Sequence, residues 1–451
     1  MQNGQLAFRQ EDIQARRTGT TVVTHIRHGK DRYVWIFHPS GLQIVMPLER
    51  LSVVNVNIVI RQGTMSDKIP GIAHALEHLV CKDTLEEGPH PALRALVPIG
   101  LRNNAQTNYN TTSYYARSPY RGWKALLNGL VDMVFASTTI DEARWMKERP
   151  AILHETRGRS DLARTREAIE AALHQNTPRL QSTMCGSEDE ILSLSADDLL
   201  DAYERGYHPQ NAVIVITGMD DHAKVVHCLE RSATLEKCSI RSTARLVERP
   251  LDDFGNFNNL TILVPGGKNI ERFMMRSSRH PRKRPDGFET WRTAHLLTML
   301  YNNEEGLIRN RLRRERGLLY AGGVTRESFS SSDFYYEFEA GTSAAQMETL
   351  GAAWRELWRE VCEHISDINT PLKPHVDMMM GTYSLISAER KLKSSWEDPT
   401  SMLRSWWFRQ RNDTAFQPNM YDLPTKVLPS LLAHAPTLAD LEWQEIRILP
   451  A

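Results

Sequence analysis

Hydrophobic positions along the chain switch between a period of two and a period near 3.6, and each switch marks an element. From Arg32 to Thr64 the pattern is that of strands. Within it, Val54, Val56, Ile58 and Ile60 alternate with Asn55, Asn57 and Val59, the signature of a strand with one buried face. Past an entry turn at Pro70-Gly71, residues Ile72, Ala73, Ala75, Leu76, Leu79 and Val80 make a mostly apolar helix. Trp123, Leu126, Leu127, Leu130, Val131 and Val134 recur at helical spacing and predict a core-packing helix. Asp141 is placed to cap a helix reaching Glu155, and another amphipathic segment falls near Glu167–Leu173. Ser195, with Asp198 three residues on, starts a helix that ends before Pro209. Asn211–Gly218 is a short continuous apolar run, read as a buried central strand.

Periodicity fades and charge rises between Ser232 and Phe257, and Pro250-Leu251-Asp252-Asp253 reads as a linker. The predicted division is 1–245 and 246–451. The second part repeats the order of the first coarsely. A strand at Asn259–Pro265 precedes a helix at Phe288–Asn302, a strand at Asp333–Ala340 and a long helix at Ala344–Ile365.

The apolar helix carries His74, Glu77 and His78. At helical pitch the two histidines sit one turn apart on one face. They can take two corners of a zinc tetrahedron, and the carboxylate between them can accept a proton from water at the metal. His-x-x-Glu-His reverses the commoner His-Glu-x-x-His order. On its own the motif is equally two packed histidines beside an exposed glutamate. Downstream, Glu148, Ile152 and Glu155 fall at i, i+4 and i+7, which stacks two carboxylates on one helix face. Such a pair is ordinarily a solvated face.

Taken together, these segments resemble the pitrilysin-like inverzincin zinc metallopeptidases of the short two-domain type. The resemblance implies that Glu155 is the third zinc ligand after His74 and His78, with one Zn2+ per chain. It implies that Glu77 is the general base and that Glu148 supports the site from behind the ligands. Gly100–Tyr109 looks like the family's Asn-Ala-x-Thr edge strand, so Asn104, Ala105 and Thr107 are expected to bind substrate as an added strand. Leu312–Tyr320 resembles the second-domain signature. By that likeness Arg313 and Tyr320 reach the bound peptide, where an arginine fork and a phenol can stabilise a developing oxyanion. An Arg-rich helix C-terminus closed by Gly317 is an equally good account of that segment. The implied fold is α+β, two similar α/β-sandwich halves, each a mostly antiparallel sheet covered by helices. Pro150 lies between the two carboxylates and is expected to kink their helix. Asp83 replaces a glycine usual in relatives, and Pro424–Ala451 matches the family poorly.

Composition narrows the partners. Lys plus Arg equals Asp plus Glu at 55 each, so net charge favours no polyanion, and no nucleic acid is expected. Arg279–Arg284 is the one concentrated basic run and reads as a solvated loop. No run approaches a membrane span, and the polar stretch from Met1 to Thr21 resembles neither a signal peptide nor a presequence. Five cysteines without paired spacing (Cys81, Cys185, Cys228, Cys238 and Cys362) fit a reducing compartment, and a cytoplasmic location is expected. Cys81, next to the histidine helix, is the thiol that could stray near a metal, with buried packing as its ordinary role. Ser405–Phe408 reads as a core or interface aromatic cluster.

The expected activity is hydrolysis of short or unfolded peptides, by a homodimer or by a heterodimer with a homologous subunit. A dedicated leader-peptide maturation peptidase and a non-catalytic structural subunit are the rival readings.

Overall fold

The computed structural model describes residues 13–18, 21–28, 31–81, 91–136, 140–157, 168–169, 171–172, 184–238, 259–264, 271–278, 280–281, 287–327, 333–367, 370–393, 430 and 432–450. They form two compact units: the first draws on 1–158, 182–249 and 393–418, the second on 159–181, 250–392 and 419–451.

The first unit runs β1 (Ile13–Thr18), β2 (Thr21–His28), β3 (Asp31–Phe37), β4 (Gln43–Pro47), β5 (Val53–Ile60), α1 (Ile72–Cys81), β6 (Arg102–Thr107) and β7 (Thr112–Pro119). There follow α2 (Trp123–Phe135), α3 (Glu142–Arg157), α4 (Glu188–Ser193), α5 (Ala196–Gly206), β8 (Ala212–Thr217), α6 (His222–Glu230) and α7 (Ala233–Cys238). Its eight strands are ordered β1-β2-β3-β4-β8-β5-β7-β6, antiparallel except at β4–β8. Helices cover one face. Ile58, Ile60, Ile214, Ile216 and Tyr114 from the sheet meet Leu76, Leu79, Leu126, Leu130 and Trp145 from the helices in one core. Each fully buried aliphatic side chain there contributes about 1.5–3 kcal/mol.

The expectation of one buried face on β5 holds only at its start. From Val56 onward every residue is buried, Asn57 and Val59 included. The strand lies between β8 and β7 in the middle of the sheet. Strand β6 closes one end of the sheet, so one of its edges has no strand partner among the described residues.

The second unit runs β9 (Leu260–Val264), β10 (Arg272–Ser277), β11 (His280–Pro281), α8 (Gly287–Asn302), β12 (Ala321–Glu327), β13 (Asp333–Gly341), α9 (Met347–His364), α10 (Lys373–Lys393) and β14 (Trp443–Pro450). Its sheet is ordered β11-β13-β10-β14-β9, with β12 also paired to β13. All its pairings are antiparallel except β14–β9. Both units are therefore mostly antiparallel sheets covered by helices, the α+β architecture expected. The core here is aromatic: Phe338 stacks on Trp354 with ring centroids 4.1 Å apart, and Tyr301 stacks on Trp358. Ala168, Ile169 and Ala172 pack with Ile262, Met274, Ile446 and Ile448, so this piece of the predicted 167–173 segment belongs to the second unit.

Strands β10 and β14 carry no clean alternation and are not legible in the sequence. Arg276 in β10 is buried because Glu337 of β13 pairs with it, at 2.6 Å between two nearly inaccessible side chains. The described part of the basic run is His280-Pro281, which pairs with β13. Asp83, Ser405–Phe408 and the rest of that run lie outside the described residues. No helix of the described residues is long and apolar enough to cross a membrane.

Candidate metal centre

Helix α1 is fixed at both ends. The buried carboxylate of Asp67 accepts the backbone N–H of Ala73 on both oxygens, at 3.1 Å each, and satisfies a donor that the first turn cannot. At the other end the Arg144 guanidinium donates to the Leu79 carbonyl at 2.7 Å. Acid at the N-terminus and base at the C-terminus both complement the helix dipole.

Helix α3 supplies that arginine and is pinned in turn. Trp145 is fully buried, and its indole N–H donates to the Leu194 carbonyl at 2.8 Å. Asp141 accepts the Arg144 backbone N–H at 2.8 Å, the expected cap. The helix continues as one element from Glu142 to Arg157 with Pro150 inside it. Losing one ladder hydrogen bond there does not part the carboxylates. Both reach α1.

His78 shows how. Its Nδ1–H donates to Glu148 Oε1 at 2.9 Å, which fixes the ring and leaves the Nε2 lone pair pointing the other way. That Nε2 lies 3.6 Å from Glu155 Oε2, and His74 Nε2 lies 3.6 Å from the same oxygen. The two imidazoles stand edge to face, centroids 4.7 Å apart. His74, His78 and Glu155 offer three ligand atoms that all lie within 4.8 Å of one another, the one such group found among the described residues. Two imidazole nitrogens and one carboxylate oxygen form a donor set suited to zinc. In a tetrahedral site of about 2.05 Å bonds such ligand atoms stand roughly 3.3–3.4 Å apart, close to the two 3.6 Å separations from Glu155 Oε2. The residues fit the metal.

Glu77 projects from α1 beside them. Thr107, the last residue of β6, donates its hydroxyl to Glu77 Oε2 at 2.5 Å. Burial pushes the Glu77 carboxyl up from its usual range, and the nearby Glu155 adds to this, while Thr107 and His78 oppose it. The hydroxyls of Tyr114 and Tyr207 share a 2.8 Å hydrogen bond, and burial pushes both phenols upward, so both stay protonated.

Asn104 and Ala105 lie on β6, with Asn104 exposed and Ala105 half-buried. Arg313 and Tyr320 belong to the second unit. Arg313 is the next-to-last residue of a short π-type helix, Ile308–Arg314, and the Gly317 N–H returns to the Arg313 carbonyl. The guanidinium stands 5.5 Å from the ring of Tyr320, which is 79% exposed. The helix-end role and the arginine–tyrosine pairing coexist.

Three residues at this centre escaped the sequence reading. Arg144 extends the stripe of Glu148, Ile152 and Glu155 back by one turn, a signal open to anyone continuing the count. Asp67 caps from outside the usual position and gives no such signal. The thiol at the site is Cys185, whose Sγ lies 4.0 Å from His74 Nε2. Cys81 is the last residue of α1 and packs against the core, its ordinary role.

The family model described as insulinase (peptidase family M16) matches residues 48–187, and that described as the peptidase M16 inactive domain matches 193–367. The mitochondrial-processing peptidase subunit beta of Lentinula edodes is 28% identical over 200 residues, covering 43% of this chain and 42% of that protein. This chain thus matches less than half the length of that relative. An uncharacterised zinc protease of Rickettsia felis is 24% identical over 331 residues, 70% of this chain and 74% of the relative. A protease from Helicobacter pylori has a similar fold, with a TM-score of 0.71 at 17% identity over 93% of this chain and all of the other. Two successive models of one family, matched in order over most of the sequence, place the chain in peptidase family M16, the insulinase family.

Proposed function

We propose that the chain is a zinc-dependent endopeptidase acting on short or unfolded peptides. The observation that carries this is the convergence of His74 Nε2, His78 Nε2 and Glu155 Oε2 beside a half-buried, anchored Glu77. When bound there, zinc supplies Lewis acidity that makes water acidic near pH 7 and polarises a carbonyl. Glu77 takes the proton of the attacking water and delivers it to the leaving amine. Glu148 holds the His78 ring in one tautomer.

The substrate adds to the outer edge of β6 along Asn104, Ala105 and Thr107. Backbone pairing there reads extended chain and tolerates sequence. Thr107 then touches the base at the end of the strand that seats the peptide. We assign catalysis to residues 1–245 and substrate grip to 246–451, where Arg313 supplies a planar fork and Tyr320 a phenol for the peptide. A relative named as a subunit supports action as a pair, a homodimer or a heterodimer with a homologue. Five cysteines without a disulfide support a reducing compartment, the cytoplasm.

The test is metal content and cleavage of a quenched peptide library, comparing wild type with Glu77→Gln. Both proteins should hold one zinc, and only the wild type should turn over. Turnover by Glu77→Gln, or absence of zinc from both, would sink the reading.

A further inference from the structure

Charge is balanced over the whole chain but not around strand β6. From Gly88 to Val131 the sequence holds Arg94, Arg102, Arg117, Arg121 and Lys124 and no aspartate or glutamate. The elements that carry these cations pack together. The 3-10 turn Pro91–Ile99 lies against β7 and α2, and β6 pairs with β7. Arg94, Arg102, Arg121 and Lys124 are exposed, and Arg117 is half-buried. Arg102 has no ion pair among the described residues.

Strand register sets two of these cations side by side. Arg102 of β6 lies directly opposite Arg117 of β7. Cβ atoms of such partners stand about 4.5–5.5 Å apart, and like charges there repel. Alternation fixes which face they share. Ala105 packs against the core and Thr107 reaches Glu77, so the odd-numbered residues of β6 face the helices. Arg102, Asn104 and Gln106 are exposed and share the opposite face. A single edge arginine is ordinarily a guard against unwanted strand pairing. That account does not extend to Arg117, because β7 lies inside the sheet between β5 and β6 and has no free edge. The arginine pair thus stands at the start of the strand whose end holds the proposed base.

We propose that Arg102 and Arg117 form a subsite for an aspartate or glutamate side chain of the peptide, which makes acidic peptides the favoured substrates. This rests on the proposed addition of substrate to the edge of β6. A strand added there advances at the pitch of β6, about 3.3 Å per residue, so the acidic residue sits roughly three to five positions from the bond cleaved beside Thr107. A carboxylate at that place relieves the repulsion between the two guanidinium groups and accepts hydrogen bonds from either fork. The three other cations draw acidic chains toward the same edge. The contact is remote from the reacting atoms, so it strengthens ground state and transition state alike and acts through KM.

The experiment uses quenched peptides of one sequence in which Glu, Gln or Lys is moved along both sides of the cleavage site, itself mapped by mass spectrometry. With the wild-type full chain, one position should give Glu a higher kcat/KM than Gln, and Gln a higher value than Lys. Each step should be about two- to fivefold, the range of an exposed ion pair, carried by KM and fading in high salt. Arg102→Glu sets a carboxylate opposite Arg117 in a favourable cross-strand pair, so the sheet is kept and the preference should vanish. Arg102→Gln should weaken it. The same peptides, labelled and bound to Glu77→Gln, should show the same order in Kd by fluorescence anisotropy, and Glu77→Gln with Arg102→Glu should lose it. Equal cleavage of Glu, Gln and Lys peptides at every position, or a Glu preference that survives Arg102→Glu, would overturn the subsite and leave the peptidase reading standing. If the wild type cleaves none of the peptides, the peptidase reading fails and the Kd values decide the subsite alone. Binding without preference, or no binding, then overturns it.

Discussion

Thr107 ends the edge strand β6, and its hydroxyl holds the carboxylate of Glu77 on α1 at 2.5 Å. A residue expected to seat substrate is thus also the residue that aims the proposed base. Without the hydroxyl, the carboxylate keeps its burial and loses its orientation.

Thr107→Val should therefore lower kcat while leaving zinc content intact. A hydrogen bond to a charged group is worth about 1.5–3 kcal/mol, or roughly 10- to 100-fold in rate. Thr107→Ser should restore most of it. An effect confined to KM, or no rescue by serine, would mean that Thr107 serves the strand and not the base.

Glu148→Gln should loosen the metal. The amide can still accept from His78 Nδ1 but no longer opposes the charge drawn from the ring. Removing such a partner typically costs about 10- to 100-fold in metal affinity. Competition with a coloured chelator measures it, and an unchanged dissociation constant counts against the assigned role.

Arg144→Met should destabilise the first unit, because the Leu79 carbonyl beneath it is left in the interior without that donor. A buried unsatisfied carbonyl costs about 1–3 kcal/mol, which lowers Tm by roughly 2–12 °C for a unit of this size. Thermal unfolding of the metal-free protein reads the effect apart from zinc binding. An unshifted Tm would show that the arginine does not hold α1.

Tyr320→Phe tests the second unit. Loss of an oxyanion donor costs about 100- to 1,000-fold in kcat, with zinc content and fold preserved. Normal turnover by Tyr320→Phe would remove the tyrosine from the mechanism and leave it a surface ring paired with Arg313.

Much of the site was legible because its parts are local. His74, Glu77 and His78 lie within two turns of one helix, and Glu148 and Glu155 within two turns of another, so spacing alone shares out their faces. The elements read well where periodicity was clean, as in α2, α5 and β8. They read poorly where a tertiary partner overrode pattern. Strand β10 places Arg276 in the interior because Glu337 answers it from 61 residues away.

By itself the sequence determined the helix that presents two histidines, the carboxylate stripe opposite, the alternating strands and the two-part order. The helix, the stripe and the strands follow from the 3.6- and two-residue periods of single segments, and the two-part order from the loss of periodicity between Ser232 and Phe257. Only the tertiary structure decided which distant groups meet: Thr107 with Glu77, Arg144 with the Leu79 carbonyl, and Cys185 rather than Cys81 beside His74. Those pairings depend on how the edge strand, α3 and the turn at Cys185 pack against α1. No periodicity within one segment encodes a contact set by the packing of another.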